Sequence, residues 1–256
     1  MKTNTFVKNL FFFSIILLSG NLFAQSNQER KVEPFTKIDI SSAITVYLSQ
    51  GSINSVTIET DASKIDKIIT NVSDGKLIIK REEGHENRNY WHDVKVIAYV
   101  TVIKLEDLKI SGASSVKAET PIKSESISLN MSGASHLKME LTASSHLETN
   151  LSGASVADIQ IKAKSIDSEL SGASTLKFNG NAENQKIETS GASSYKAFDL
   201  LSKKAEVEAS GASNIEINVN EEVRGKASGA SSLKYKGNPT KSDTDASGGS
   251  SIKKVN

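Results

Sequence analysis

The sequence has 256 residues, a formal net charge of +1 at neutral pH and no cysteine. A chain so close to neutrality has no bulk electrostatic reason to bind nucleic acid or an anionic membrane, so we expect no nucleic-acid partner. The lack of cysteine excludes disulfide bonds and a lipoprotein anchor on an N-terminal cysteine, so the core and the backbone hydrogen bonds must stabilise the fold.

The first 24 residues have the pattern of a secretory signal peptide. Lys2 and Lys8 form a basic start, an apolar run extends from Leu10 to Leu18, and the small residue Ala24 ends the segment. The apolar run is too short to span a bilayer. We therefore predict that residues 1–24 are removed, that no transmembrane segment remains, and that the protein is exported to the periplasm, the outer cell surface or the medium. A retained membrane anchor is the alternative interpretation.

Residues 25–34 are polar and are predicted to be a loose leader. Residues 35–110 then alternate between apolar and polar residues, which is the pattern of β-strands with one buried face. Asp74 and Gly75 have the composition of a hairpin turn between two such strands. The segment around Ile65 and Ile69 fits either a strand edge or a short helical turn. We interpret residues 35–110 as the irregular first coils of a single β-domain that covers residues 35–256.

Residues 81–93 interrupt this pattern with an irregular, charged segment that contains the only tryptophan, Trp91, between Tyr90 and His92. Two interpretations fit these three residues. An aromatic cluster in a charged loop can stack on a sugar or anchor a protein partner. Alternatively, Trp91 covers one end of the core.

The rest of the chain repeats one motif, Ser-Gly-Ala-Ser (SGAS), about every 20 residues. Seven copies begin at Ser111, Ser132, Ser152, Ser171, Ser190, Ser210 and Ser228, and an eighth copy at Ser247 reads SGGS. The motif glycines are Gly112, Gly133, Gly153, Gly172, Gly191, Gly211, Gly229 and Gly248. So regular a period indicates a stacked-repeat architecture.

Mostly apolar or small residues occupy the positions three and one before the motif, and five and seven after its first serine, with polar exceptions such as Thr149, Ser168 and Thr189. These offsets differ by even numbers, as in strands with one buried face. A unit of 20 residues is too short for a strand–helix–strand crossover, but it can form one coil of a solenoid whose strands pair with the next coil at ~4.8 Å. We predict an all-β fold, a right-handed parallel β-helix or β-solenoid with residues 111–256 as its regular part and the SGAS motifs along one wall.

The motif itself is predicted to be structural. Glycine allows a positive φ and a close approach between coils, alanine fills a tight corner, and stacked serines can pass hydrogen bonds along the wall. A serine-lined ligand surface is the alternative. We do not expect a serine nucleophile, because no histidine or carboxylate stands at a fixed sequence offset from these serines.

Charged residues form a second periodic feature, six residues after the first serine of each motif. In order they are Lys117, Lys138, Asp158, Lys177, Lys196, Glu216, Lys234 and Lys253. Stacked lysines repel each other by about 1 kcal/mol in water, and the regularly placed acids relieve that strain, which indicates an exposed ladder. The ladder either keeps the face soluble or binds a charged partner through Lys117, Lys138, Lys177, Lys196 and Lys234.

The positions two and four before the motif are mainly acidic, with Glu169, Glu188 and Glu208 on consecutive coils. Such carboxylates can hold Ca²⁺ or act as a glycosidase pair. However, no Asp/Asn/Gly loop spacing supports a cation site, and no aromatic platform accompanies the carboxylates. We predict no cofactor, no metal and no catalytic residue.

A set of segments in this order resembles a known family: Phe35-Thr-Lys-Ile-Asp-Ile40, Ile44-Thr-Val-Tyr-Leu48, Val56-Thr-Ile58, Asp74-Gly-Lys-Leu-Ile-Ile79 and the SGAS repeats. Together they resemble the auto-transporter adhesin head (GIN) domain, over roughly residues 35–236. The resemblance implies a β-helical domain, an exported bacterial protein of a kind common in Bacteroidetes, and a role in adhesion. It implies no catalytic or binding residues.

The sequence therefore favours an exported, non-enzymatic, adhesin-like β-solenoid that binds a cell-surface glycan or protein, or that has a structural role. Two alternatives remain. The stacked carboxylates fit a carbohydrate-active β-helix, either a polysaccharide lyase or a hydrolase. The last coil, which has no apolar cap, fits an envelope scaffold that self-associates as a homo-oligomer.

Overall fold

The computed structural model describes residues 25–84 and 90–256, which are almost entirely β-structure. The predicted signal peptide, residues 1–24, lies outside the described residues. In the described part, no helix has the length and apolar character needed to cross a membrane. Its strands are β1 (Gln25–Arg30), β2 (Lys37–Ile40), β3 (Thr45–Gln50), β4 (Ser55–Asp61), β5 (Ile68–Ser73), β6 (Lys76–Arg81), β7 (Ile97–Val102), β8 (Asp107–Ile110), β9 (Ser115–Ala118), β10 (Ile122–Met131), β11 (His136–Leu151), β12 (Val156–Leu170), β13 (Thr175–Thr189), β14 (Ser194–Ala209), β15 (Asn214–Ala227), β16 (Ser232–Lys236), β17 (Lys241–Ala246) and β18 (Ser251–Lys254).

Strands β10 to β18 form a parallel β-solenoid. Each long strand pairs in parallel with the strand of the next coil, so that Leu137 lies beside Ala157, and Ala157 beside Leu176. The solenoid has about seven turns of roughly 20 residues. The predicted fold class is confirmed, and the handedness of the coil stays a prediction.

One regular coil consists of a long strand and an SGAS turn. In β11 the pairing register to β12 shifts between Ala143 and His146, which divides the strand into two segments. The segment that follows a motif carries the lysine-rich positions, and we call its outer surface the post-motif face. The segment that leads into the next motif carries the acidic positions, and we call its outer surface the pre-motif face.

The core contains the residues that the even offsets predict. Leu129, Met131, Leu137 and Met139, which flank one motif, are all buried, and so are the equivalent positions of the following coils as far as Leu233. Tyr235 is half-buried. The last coil is the exception, because every residue of β17 is exposed. Among the described residues β17 pairs only with β15, so no further coil covers its other edge.

Several buried positions are polar, and they pair with each other inside the solenoid. The Thr149 hydroxyl donates to Ser168 Oγ at 2.8 Å. The Tyr195 hydroxyl donates to Gln185 Oε1 at 2.7 Å, although Gln185 Nε2 has no partner. Burial raises the pKa of Tyr195 far above its ordinary value, so the phenol stays neutral and acts as a donor.

The first strands continue the same stack and then close it with antiparallel strands. β2 lies between β6 and β8, and β3 lies between β7 and β9, all in parallel. β4 pairs antiparallel with β7, and β5 and β6 form a hairpin at Asp74 and Gly75, as predicted. A 3₁₀ helix at Ile65–Lys67 precedes β5, so the segment around Ile65 and Ile69 is a helical turn followed by a strand.

The prediction of a loose leader is wrong for Gln25–Arg30. These residues form β1, which pairs antiparallel with β4 along its whole length. An edge strand is held by its backbone hydrogen bonds and needs few apolar side chains, so a polar sequence can occupy it. The Arg30 side chain adds a further hydrogen bond, which its guanidinium donates to the Ile65 carbonyl.

Candidate functional site

Each SGAS motif forms the same tight turn. The glycines have φ between +67° and +73°, in the left-handed region that glycine occupies without a Cβ penalty. The fourth serine is buried, and in most coils its hydroxyl closes the turn by donating to the carbonyl of the first serine. Ser174 Oγ, for example, lies 2.9 Å from Ser171 O. The motif sequence is therefore that of a self-closing turn.

The turns stack on each other through their backbones. Ala173 N–H donates to the carbonyl of Gly153 one coil earlier, at 2.8 Å. A Cβ on Gly172 would lie 2.6 Å from that same oxygen, which no real Cβ contact tolerates. The predicted stacking of the motifs along one wall is confirmed. The prediction that the motif alanines fill a tight corner is wrong, because alanines such as Ala173 and Ala192 are exposed.

The first serine of the motif has a different environment from the fourth. It lies at the surface, and in several coils its hydroxyl donates to the carbonyl just before the preceding motif, as Ser210 does to Thr189 O at 3.2 Å. This carbonyl also accepts the Ser210 N–H, at 2.9 Å. The hydroxyl oxygen keeps its capacity to accept a hydrogen bond from outside.

These serines form one side of a groove of about 750 Å³ on the solenoid surface. The other side consists of the residues two positions before each motif. The polar side chains along the groove are Lys109, Asn130, Ser132, Asn150, Ser152, Glu169, Ser171, Glu188, Ser190, Glu208, Ser210, Lys226, Ser228, Asp245 and Ser247. Its lining comes from eight successive coils, which are separated by seven steps of ~4.8 Å, so the groove is about 34 Å long.

Two carboxylates of the groove wall, Glu188 and Glu208, lie near cations. Lys186 lies 2.7 Å from Glu188, and Lys226 lies 3.9 Å from Glu208. The hydrogen bond that Lys186 donates to Glu188 raises the pKa of Lys186 above its ordinary value. Farther along, Asn150 Nδ2 donates to Asn130 Oδ1 at 3.1 Å, which begins an amide ladder. The groove thus offers hydroxyl, amide and carboxylate groups in a repeated arrangement.

The described residues were compared with the needs of a metal site and of a sugar-binding platform. No group of three or more His, Asp or Glu side chains in residues 25–84 and 90–256 is placed to hold a metal ion. Glu169, Glu188 and Glu208 do line the groove, but no aromatic side chain does. The groove therefore provides carboxylates without a stacking platform.

Comparison with known protein families matches residues 34–239 to the family described as "Putative auto-transporter adhesin, head GIN domain". The chain belongs to this family. No curated protein matches the chain significantly. The predicted family resemblance is confirmed, and the match covers both the irregular first coils and nearly all the SGAS coils of this head GIN domain.

Similar solved structures come from Parabacteroides and Bacteroides species. A "putative adhesin" from Parabacteroides merdae matches with a TM-score of 0.82 and 17% identity, covering 91% of this chain and 96% of the other. A "putative lipid binding protein" from Parabacteroides distasonis matches with a TM-score of 0.77 and 20% identity, over 91% and 97%. A "putative adhesin" from Bacteroides fragilis matches with a TM-score of 0.65 and 22% identity, covering 90% of this chain and 97% of the other. At these identities the similarity establishes a shared fold.

The sequence-predicted lysines of the head GIN domain lie together, but outside the groove. Strand pairing places Lys138 beside Lys117, and Lys196 beside Lys177, on the post-motif face. Lys234 belongs to the same column, next to Glu216. None of the five lysines lines the groove, which lies on the pre-motif side of the SGAS turns.

The predicted aromatic site packs against the head GIN domain instead of standing free. Trp91 packs against the hydrophobic core, and its indole N–H donates to Glu82 O at 3.3 Å. The Arg81 guanidinium lies 5.1 Å from the Trp91 ring, and Lys64 Nζ lies 3.1 Å from the centre of the Tyr90 ring. His92 is exposed and pairs with Asp93 at 2.7 Å. These contacts support the covering role of Trp91, and a binding role for Tyr90, Trp91 and His92 stays a prediction.

Sequence reasoning missed the groove because it treated the motif serines and the acidic column separately. The first serine and the residue two positions earlier are an even number apart, so both side chains point outward on the same side of the turn. This even spacing was the signal in the sequence that could have placed the two columns on one surface. The concave shape between the two columns depends on the bend at the turn, which no residue pattern specifies.

Proposed function

We propose that this chain is an exported, non-enzymatic, adhesin-like protein that binds an extended, neutral glycan along the SGAS groove. The observation that carries this proposal is that the groove continues across eight coils. The first serines of the motifs line one side along this length, and the residues two positions before the motifs line the other. A compact ligand needs only a local pocket, whereas a polymer can use every repeat. The family description as an adhesin supports a surface-binding role.

The chemistry of the groove favours a neutral, hydroxyl-rich ligand. Sugar hydroxyls can donate to the serine oxygens and to carboxylates such as Glu169, and they can accept from amides such as Asn130. The column of Glu169, Glu188 and Glu208 repels an anionic polymer. The absence of aromatic side chains from the lining indicates recognition by hydrogen bonds, at modest affinity per repeat.

A non-enzymatic role is supported by the repetition itself. Catalysis needs one place at which different functional groups converge, whereas the groove presents similar groups coil after coil. Shallow, repeated contacts suit an adhesin, because many weak contacts along one polymer add up to stable attachment.

A glycan array probed with the purified chain tests this proposal. Changing Ser171→Gln and Ser190→Gln together places longer, uncharged side chains in the groove. The matched control is Ala173→Gln with Ala192→Gln, two exposed positions on the same turns that do not line the groove. We expect wild type and control to bind the same neutral polysaccharide and the serine variant to lose at least tenfold in affinity. Absence of any neutral-glycan binding by wild type, or equal binding by both variants, would refute the proposal.

The carboxylates in the groove keep one alternative function open to test. Glu169, Glu188 and Glu208 face a groove that could hold a polysaccharide, as a carbohydrate-active β-helix requires. Any polysaccharide that binds should be incubated with wild type and with Glu188→Gln and Glu208→Gln variants, and the release of shorter chains measured. Cleavage that both variants abolish would establish the enzymatic alternative in place of the adhesin role.

A further inference from the structure

The lysine column on the post-motif face is continuous in the folded protein. Strand pairing connects its members coil by coil, in the order Lys117, Lys138, Asp158, Lys177, Lys196, Glu216, Lys234 and Lys253. Beyond Lys117 the column continues into two tyrosines, because Tyr47 pairs with Lys117 and Tyr99 pairs with Tyr47. The column is thus a row of cations with an aromatic pair at one end.

The lysines occur in adjacent pairs that are separated by single acids. Lys117 and Lys138 form one pair, Lys177 and Lys196 the next, and Lys234 and Lys253 the third. Asp158 and Glu216 separate them, so the pattern repeats every three coils, or about 14 Å. Within the described part of the chain, Lys138, Lys177, Lys196 and Lys234 have no carboxylate within ion-pairing distance. Lys117 alone of the predicted five is engaged, with Glu119 at 2.8 Å.

Solubility alone does not explain this arrangement, as the column four residues before the motif shows. There Lys186 stands between Asp167 and Glu206, and Arg224 stands between Glu206 and Asp243. Each cation in that column has an acid on both neighbouring coils, so no two cations are adjacent. Like charges do adjoin in that column as well, at Glu148 and Asp167. Of these two columns, however, the post-motif column alone repeats adjacent cations at a regular interval of three coils, and each such pair costs stability unless an anion lies between the two lysines.

We infer that the lysine column is a second binding site, which takes an acidic polysaccharide lying along the solenoid axis. Anionic groups spaced by about three coils meet the successive lysine pairs, and the neutral stretches between them pass Asp158 and Glu216. An anion that lies between two lysines removes their mutual repulsion and gains two charge-assisted hydrogen bonds.

The two acids in the column select against dense polyanions. Each strand of a nucleic acid carries a phosphate about every 3.4 Å in a duplex, so it cannot avoid Asp158 and Glu216. A glycan with one carboxylate per disaccharide is charged more sparsely, so fewer of its anions fall beside these two acids. The exposed tyrosine pair favours a sugar as well. Tyr99 is 44% exposed and stacks on Tyr47 with ring centres 5.5 Å apart, offering amphipathic surface at the end of the column.

Direct binding measurements with three probes test this inference. Hyaluronan carries one carboxylate per disaccharide, dextran is uncharged, and single-stranded DNA is a dense polyanion. We expect the chain to bind hyaluronan, to bind DNA more weakly, and to ignore dextran at this site. Lys177→Gln with Lys196→Gln should weaken hyaluronan binding by about tenfold, and salt should weaken it in wild type. Asp158→Asn with Glu216→Gln should strengthen DNA binding.

A control variant separates the column from net charge. Lys204→Gln with Lys241→Gln changes the net charge by the same amount on the pre-motif strands, and it should leave hyaluronan binding unchanged. No hyaluronan binding by wild type, an equal loss in the control, or DNA binding as tight as hyaluronan binding would each overturn the inference. The groove variants at Ser171 and Ser190 do not change this column, so the proposal for the groove and the proposal for the lysine column are tested independently.

Discussion

Gly172 stacks on Gly153 of the preceding coil so closely that a Cβ on Gly172 would lie 2.6 Å from the Gly153 carbonyl oxygen. The same contact recurs from coil to coil, since Gly191 and Gly211 have equivalent distances of 2.6 Å to the glycine before them. The spacing of the coils, which strand pairing fixes at ~4.8 Å, therefore leaves no room for a Cβ at the turn.

The first prediction concerns this contact. Gly172→Ala should lower the free energy of unfolding by more than about 3 kcal/mol, because it adds a clash to the left-handed strain of ~1–2 kcal/mol. Gly75→Ala is the matched control: Gly75 has the same φ of +69°, but a Cβ there meets nothing within 4 Å. The control should lose only the ~1–2 kcal/mol of stability that the left-handed conformation costs alanine. Equal losses in urea denaturation would show that coil spacing does not demand glycine.

The second prediction concerns the polar pair inside the solenoid. Tyr195→Phe should cost about 1–3 kcal/mol, because it leaves the buried Gln185 oxygen without its donor. Combining it with Gln185→Leu should recover part of that loss, since both polar partners are then replaced by apolar groups. A double variant no more stable than Tyr195→Phe alone would contradict this account of the pair.

The third prediction is the alkaline behaviour of the same phenol. Burial raises the pKa of Tyr195 in the folded state, while in the unfolded chain it ionises near pH ~10. Above that pH the unfolded state binds fewer protons than the folded state, so stability falls as pH rises, and the contribution is fully present below pH ~10. The stability advantage of wild type over Tyr195→Phe should shrink by about 1.4 kcal/mol for each pH unit above it. A constant difference from neutral to alkaline pH would contradict the burial of this group.

The fourth prediction tests the strain in the lysine column without any ligand. Lys177 lies between Asp158 and Lys196, so the test is made in an Asp158→Asn background. There Lys177→Gln removes only the repulsion from Lys196 and should stabilise the protein by a few tenths of a kcal/mol at low salt. The gain should vanish at high salt, where surface charges are screened. Lys204→Gln is the control, because Lys204 lies 3.9 Å from an acid, Glu222. This substitution should be neutral or slightly destabilising. A loss of stability in Lys177→Gln at low salt would show that the pair is not strained.

The regular coils could be predicted from sequence because the physical cause is periodic. Leu137, Ala157 and Leu176 stand at one offset from their motifs, and strand pairing places them side by side. The same offset arithmetic placed Lys177 beside Lys196 correctly. Where every coil repeats the last, register follows from counting residues.

The remaining features depend on contacts that leave no periodic mark. Gln25–Arg30 is polar throughout, yet it forms a strand because β4 provides an edge to pair with. Trp91 lies in an irregular segment, so only the packed structure shows it against the core. The first and fourth serines of the motif look identical in sequence, although Ser174 is fully buried and Ser171 is exposed.

The stacked SGAS turns also determine how the groove can change in size. Since each coil of 18 to 21 residues adds one serine and one polar neighbour, insertion or deletion of one repeat alters the groove length by a single step of ~4.8 Å. The cross-section stays the same. Duplication of a repeat would thus lengthen the bound stretch of polymer while leaving the contacts of every existing coil intact, so reach and affinity can vary independently of ligand chemistry.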